Sequence, residues 1–505
     1  MKHKKKIKNI RYFSNFHKFR IYHKNIFDGM GVFKPKDVEH TIRVCFQISK
    51  STARFLTEKT FVELFQYSEE MEAYLKTVNI KAKCESNRTE TFETMSKKND
   101  IFLDYTLVKR TFHVMARQTA LMGHKFRKIS FSDALNYMPK STSSSFPDHV
   151  TPKADNFSHI IWQNKSCSKE EEWRFFDECL IGTQWRTQIS RSNELKFRQF
   201  YPLPHYIQAL ERQYFNGFFI HFEKYKDTPY AYANIWPNLK RRYINCQKYK
   251  YTYSLDIKGF DMNISNTMIK LVLDWMKSFL ILNDDDLAMV NSIIEYHLNA
   301  NVLLSSNRET IVFNKERGLL SGSTLTNLLG SMISMFCIQY YTLSSTRTTL
   351  SNVAYTVHGD DNIFGSDRKI KIDDIAEFYN KHFGLTISME KSEVFNRGEQ
   401  IYFLGHYIDT NGRYLNKDRM IRQLCFGSSY IDKSIMSSSE RIISKLCSLL
   451  FKCVDGWDTF LSLKDRLLGL LDLSELPKYY QEITSIGGTI LNKNMAEAKD
   501  QWMLC

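Results

Sequence analysis

The chain has 505 residues, 43% of them hydrophobic and 14% aromatic, enough for a large core with several subdomains around it. Its 70 lysines and arginines against 55 aspartates and glutamates leave a formal net charge of +15, which favours a polyanionic partner and puts nucleic acid first. No apolar run approaches the length of a membrane span, and the ten cysteines stand singly without a CxxC pair, so a bilayer segment, a zinc site and a disulfide framework are all disfavoured and a reducing compartment is expected.

The opening MKHKKKIKNIRYFSNFHKFR carries no acidic residue and lacks the apolar core of a signal peptide, so it reads as a solvated or RNA-facing arm. Polar breaks at 139–155 (PKSTSSSFPDHVTPKAD) and 434–441 (SIMSSSER) divide the chain into an N-terminal, a central and a C-terminal region. In RTQISRSNELKFRQFYPLPHYIQALE, Lys196 and Arg198 alternate with aromatic residues, so both cations project from one face of an extended segment. Fixed positive charge of this kind suits an incoming triphosphate, and a solvated strand face would look the same.

Next, KYTYSLDIKGFDMNIS places Tyr251, Tyr253 and Leu255 on one face of a strand, with Ser254 and Asp256 on the other. After Asp261 the period becomes helical through Met268, Leu271, Val272, Trp275 and Phe279, so one aspartate lies on each side of a strand-to-helix turn. ERGLLSGSTLTNLLGSMISMF reads as a loop at Ser321-Gly322-Ser323 feeding a helix with Leu325, Leu328, Leu329, Met332 and Phe336 on its apolar side. Hydroxyls and an amide at such a helix start can meet phosphate or sugar oxygens, or simply cap a core helix. In SNVAYTVHGDDNIFGS, Val353, Tyr355 and Val357 alternate, a polar interruption follows, and Ile363 and Phe364 resume, which predicts a hairpin displaying Asp360 and Asp361 at its tip. Neighbouring carboxylates repel unless a cation lies between them. If the hairpin pairs beside Asp256, three carboxylates converge in a set suited to hard divalent cations, the usual device for nucleotidyl transfer. Toward the end, SSSERIISKLCSLLFKC repeats apolar residues at helical spacing, predicting a helical closing region.

Together and in order, these segments resemble the motifs of viral RNA-dependent RNA polymerases. KFRQFYPLP resembles the basic fingers motif, SLDIKGFD motif A, GLLSGSTLTNLLGS motif B, VHGDD motif C, FGLTISMEKSE motif D and YFLGHYI motif E. The separation of the two acidic motifs, 360 − 256 = 104 residues, also suits the family. The wording of SGSTLTNLLGS, the K-x-R followed by prolines, and FLG is similar to the partitivirus-like branch, whose small genomes are double-stranded RNA copied inside a capsid. One departure is Gly330, which stands where picornavirus-type enzymes place an asparagine, so sugar recognition relies on Asn327 or differs in detail.

The resemblance implies an α+β right-hand fold. Residues 1–250 would be an N-terminal extension and fingers, 251–264 and 316–405 the palm, 265–315 a fingers insertion and 406–505 a helical thumb. It implies that Asp256, Asp360 and Asp361 hold two Mg²⁺, with Mn²⁺ as the alternative ion. Asp261 would sense the ribose 2′-hydroxyl with Thr326 and Asn327, and Ser321 and Gly322 would form the mobile loop that meets template and nucleotide. Arg198, with Lys196 near it, would hold the triphosphate, and Lys391 would protonate departing pyrophosphate. The implied partners are RNA template and product, ribonucleoside triphosphates and a viral capsid protein, in the host cytoplasm and within the virion. A reverse transcriptase and a non-catalytic RNA-binding protein are the rivals. Asp261 argues against the first, and the intact acidic residues against the second.

Overall fold

The computed structural model describes residues 11–13, 56–57, 80–138, 180–189, 195–225, 227–231, 239–305, 310–344, 354–409, 413–415 and 425–427. The breaks expected at 139–155 and 434–441, most of the basic N-terminal arm and the expected helical thumb beyond 427 lie outside them.

The first described elements are β1 (Arg11–Phe13), β2 (Leu56–Thr57), α1 (Ile80–Met95), α2 (Tyr105–Gln118), α3 (Phe131–Asn136), β3 (Leu180–Ile181), β4 (Gln184–Ile189), β5 (Leu195–Phe200), α4 (His205–Lys224) and α5 (Leu239–Cys246). There follow β6 (Tyr251–Leu255), α6 (Phe260–Asn263), α7 (Asn266–Lys277), α8 (Asp284–Asn299), β7 (Asn301–Ser305), β8 (Thr310–Asn314), α9 (Thr326–Ser344), β9 (Tyr355–His358) and β10 (Asp361–Ser366). The last are α10 (Ile372–Phe383), β11 (Glu393–Asn396), β12 (Ile401–Phe403), β13 (His406–Ile408), β14 (Arg413–Leu415) and β15 (Phe426–Gly427).

A four-stranded antiparallel sheet in the order β11-β6-β10-β9 organises the centre. Its register sets Asn362 opposite Leu255 and Phe364 opposite Tyr253, whose rings stack at 4.9 Å. Cross-strand aromatic pairs of this kind hold register in a sheet. Strand β9 departs from the one-sided alternation its sequence predicts, because Tyr355, Thr356 and Val357 are all buried. The reason is that Pro229–Ala231 adds main-chain bonds from outside: Val357 N–H donates to Pro229 O and Ala231 N–H to Val357 O. Meanwhile α9 covers the other side.

Helix α9 is buried without a break from Leu328 to Tyr340, as an apolar-all-round helix must be. Phe112 of α2 packs on Phe336 at 5.1 Å, and the Tyr340 hydroxyl accepts from Asp104 N–H at 3.0 Å. Side-chain caps start the neighbouring helices where their sequences change period: Asp104 for α2, Ser265 for α7 and Asn283 for α8. Strands β7 and β8 stay out of the central sheet and join a second one in the order β1-β8-β7-β3. Strands β4 and β5 form a separate hairpin in which Arg186 pairs with Arg198 and Gln188 with Lys196.

Candidate active site

Asp256 follows the last residue of β6 and is half-buried. Its main chain is held from both sides by the 386–392 turn. Ser392 Oγ accepts from Asp256 N–H at 3.0 Å, Ser388 N–H donates to Asp256 O at 2.7 Å, and Lys258 N–H donates to Thr386 O at 2.8 Å. Lys391 lies in that turn with its side chain exposed, between the two serines that fix the aspartate.

The hairpin predicted at 355–364 forms, with Asp361 opposite His358 and the Gly359-Asp360 pair at its tip. Gly359 turns the chain at φ +64°, a left-handed conformation that glycine adopts without penalty. Because β10 pairs with β6 and Asn362 faces Leu255, one further step of the register brings Asp361 across from Asp256. Helix α9 fixes the turn through two hydroxyls: Ser331 Oγ accepts from Gly359 N–H at 2.7 Å, and Ser334 Oγ donates to Gly359 O at 2.5 Å. Asp360 and Asp361 are exposed.

Asp261 sits in α6, beyond the turn from Asp256. Enclosure by surrounding atoms, then the charge of Asp360, push its carboxyl up to about 6, while Arg198 pulls it down. Its surface is nonetheless exposed. Burial raises the Tyr201 phenol, and Asp261 adds to that rise. Arg198, Tyr201, Asp261 and Asp360 therefore lie within electrostatic reach of a single locus. Arg198 is exposed on β5; the Lys196 side chain is outside what the structure describes, although its main chain lies on the same strand.

The 318–327 loop docks on the segment that follows β5. Ser321 Oγ accepts from Tyr201 N–H at 3.1 Å. At Gly322 a Cβ would stand 2.1 Å from Tyr201 O and 2.8 Å from Pro202 Cα, so only glycine permits the approach. Thr326 spends its hydroxyl on Leu320 O at 2.6 Å and Ser323 O at 2.9 Å. Asn327 accepts from the Tyr230 hydroxyl at 2.6 Å and lies 3.0 Å from His358 Nε2. These two residues, expected to read ribose, are engaged with the protein itself and brace the loop and the acidic turn. Gly330, the departure noted in the sequence, lies against Leu319, Phe260 and Gly359.

Among the described residues, no three His, Cys, Asp or Glu side chains form a closed metal cage, so Asp256, Asp360 and Asp361 share a neighbourhood without completing a coordination sphere. Their donor chemistry still fits hard divalent ions, being carboxylate oxygen only, on a rim open to solvent. Sequence reasoning missed the residues that position this rim, namely Ser331, Ser334, Ser388, Ser392 and Tyr230, and Glu211, which fastens the neighbouring loop. Ser331 and Ser334 stand one turn apart inside an apolar helix, a polar pair in a buried stripe that could have been flagged. Glu211, in an aromatic helix, carried no comparable signal. No described helix is long and apolar enough to cross a membrane.

Residues 163–449 match the family described as viral RNA-dependent RNA polymerase. The RNA-directed RNA polymerase of Cryptosporidium parvum virus 1 (strain KSU-1) is 24% identical over 323 residues, 57% of this chain and 58% of that protein's length. The RNA-dependent RNA polymerase of a human picobirnavirus superposes with a TM-score of 0.65 at 15% identity, covering 88% of this chain and 92% of that one. Its insertion-loop deletion mutant gives 0.63 at 14% identity, covering 94% and 91%. At these identities the two solved structures speak for a shared α+β polymerase fold.

Proposed function

The chain belongs to the viral RNA-dependent RNA polymerase family, and from that premise we propose that it copies a viral RNA genome by template-directed nucleotidyl transfer from ribonucleoside triphosphates. The observation that carries the reading is the pairing of β6 with β10, which places Asp256 beside the Gly359–Asp361 turn, with Arg198 and Asp261 on the same locus. In this reading the 3′-hydroxyl of the growing strand attacks the α-phosphate of a base-paired nucleotide, and pyrophosphate leaves. Asp256, Asp360 and Asp361 would hold the divalent ions, which when bound activate the attacking oxygen and stabilise charge on the leaving one. Arg198, with Lys196 on the same strand, grips the triphosphate. Asp261, together with Thr326 and Asn327, senses the ribose 2′-hydroxyl, Asp261 accepting a hydrogen bond from it. Ser321 and Gly322 meet the template and nucleotide. Lys391, in the turn that clamps Asp256, delivers a proton to pyrophosphate, which needs a cation able to release one.

Template pairing supplies sequence choice, so the basic protein needs only to grip backbone and shape. The domain boundaries follow the family's right hand: fingers to 250 and again at 265–315, palm at 251–264 and 316–405, thumb from 406. A double-stranded RNA genome, a capsid partner and a site within virions in the host cytoplasm complete the reading, supported by the motif wording and by likeness to a Cryptosporidium parvum virus 1 protein. The test is incorporation of labelled ribonucleotides and deoxyribonucleotides on an RNA template with Mg²⁺ or Mn²⁺, comparing wild type with Asp360→Ala. Metal-dependent ribonucleotide incorporation lost in the variant is expected. Equal incorporation by both proteins sinks the metal assignment, and tight RNA binding without synthesis favours a binding protein.

A further inference from the structure

Glu211 is fully buried in α4, where an isolated carboxylate would be prohibitive. It is not isolated. Oε1 accepts from the Ser323 hydroxyl at 2.8 Å and lies 2.8 Å from His297 Nε2, which must be the donor because a carboxylate only accepts. Oε2 accepts from both the N–H and the hydroxyl of Thr324, each at 2.8 Å. Ser323 Oγ in turn accepts from Leu325 N–H at 2.9 Å. Two loop residues and a helix α8 histidine therefore use both oxygens of one carboxylate, and hydrogen bonds to an ionised acceptor are the strong ones.

The stretch that carries Glu211 also carries the other anchor of the same loop, since Tyr201 N–H donates to Ser321 Oγ and Gly322 is pressed on Tyr201–Pro202. From Arg198 to Glu211 the chain is one bracket, with the triphosphate-facing cation at its start and the loop's fastening at its end. Beyond the loop, α9 runs on to Ser331 and Ser334, which hold the turn at Gly359. We propose that Glu211 is a positioning residue for nucleotide selection, setting the loop conformation that places Ser321 and Gly322 against the incoming ribonucleotide. This rests on the polymerase reading above.

The experiment is Glu211→Gln in the full chain, with two readouts. Amide exchange over 318–328, followed by mass spectrometry without nucleotide, reports the fastening directly. Single-nucleotide incorporation reports KM against maximal rate, and the ratio of ribonucleotide to deoxyribonucleotide efficiency. A glutamine keeps one acceptor oxygen and loses the charge, so exchange at 324–325 should speed by about tenfold or more, as losing hydrogen bonds to a charged group implies. The KM for ribonucleotides should rise by about tenfold with a smaller change in maximal rate, and sugar discrimination should fall. Unchanged exchange overturns the proposal, as does faster exchange with unaltered KM and discrimination. Should Glu211→Gln fail to fold, Ser323→Ala with Thr324→Val removes two donors while leaving the carboxylate its His297 partner, and the same outcomes decide. A wild-type protein without templated synthesis refutes the polymerase reading, whereas an active wild type with an indifferent Glu211→Gln refutes this role alone.

Discussion

Replacing Gly322 by alanine puts a methyl group into main chain. The Cβ would stand 2.1 Å from Tyr201 O and 2.8 Å from Pro202 Cα. Ordinary contact needs about 3.5 Å, so the loop must retreat by about 3.5 − 2.1 = 1.4 Å. That retreat breaks the 3.1 Å bond from Tyr201 N–H to Ser321 Oγ. Overpacking of this kind costs about 1–3 kcal/mol, and misplacing a substrate-positioning group by about 1 Å costs about 10²-fold in rate. Gly330→Ala is the internal comparison. Its Cβ would meet Leu319 and Phe260 at 3.5 Å and Gly359 at 3.7 Å, which are ordinary contacts. Inside a helix that exchange gains about 0.5–1 kcal/mol. Thermal unfolding and single-nucleotide incorporation should therefore diverge: Gly322→Ala less stable and about 10²-fold slower, Gly330→Ala equal or more stable and active. A Gly322→Ala protein with wild-type efficiency would refute the argument that close approach, rather than loop flexibility, dictates this glycine.

Four other outcomes follow from the same geometry. Burial lowers the Lys315 ammonium from 10.5 to about 7, against a smaller upward pull from Glu316. The unfolded chain then binds more protons between those values, so stability rises with pH through that window by about 1.4 kcal/mol per pH unit, and by about 5 kcal/mol in full. Lys315→Met should flatten that rise relative to wild type in denaturation midpoints taken from pH 7 to 9, and parallel curves would disprove the burial argument. Ser331→Ala leaves the Gly359 N–H without its 2.7 Å acceptor, which should cost about 1–3 kcal/mol and slow incorporation while RNA binding persists. Gly359→Ala should cost about 1–2 kcal/mol through its positive φ alone, since the nearest side-chain atom is 3.8 Å away, and Gly359→Asn should cost less. Asp360→Asn removes a charge that already pushes Asp261 upward. In chelator-treated buffer its melting temperature should match or exceed that of wild type, although synthesis is lost; a marked fall would mean Asp360 supports the fold.

Local periodicity made the central elements legible. Alternation at 251–255 and helical spacing after Asp261 anticipated β6 and α7, and the polar interruption in TVHGDDNIF anticipated the tip between β9 and β10. Long-range contacts left no such trace. Glu211 meets Thr324 across 113 residues and Ser392 meets Asp256 across 136, and neither partner alters the pattern of its own segment. Strand β9 hid its second buried face for the same reason, since the cover at Pro229–Ala231 is distant in sequence. Thr326 and Asn327 enter through the motif their segment resembles, and that resemblance carries no trace of their contacts with Leu320, Ser323, Tyr230 and His358, the last two of them distant in sequence.

Two kinds of fastening coexist around the site, and their chemistry suits different duties. The acidic rim is held through its main chain by neutral groups: Ser392 and Ser388 for Asp256, Ser331 and Ser334 for the turn at Gly359. Hydroxyls and amides fix position without adding charge, so the field that draws cations to the rim is not diluted by its own supports. The loop at 321–324 is held instead by a carboxylate, buried and matched by four donors, two from Thr324 and one each from Ser323 and His297. A charge there makes strong hydrogen bonds because all four donors reach it, and His297 beside it is a group able to balance it. Substitutions in the neutral clamps should therefore act through geometry, moving maximal rate with little change in metal dependence. Substitutions on the rim should act through charge and shift the metal requirement itself.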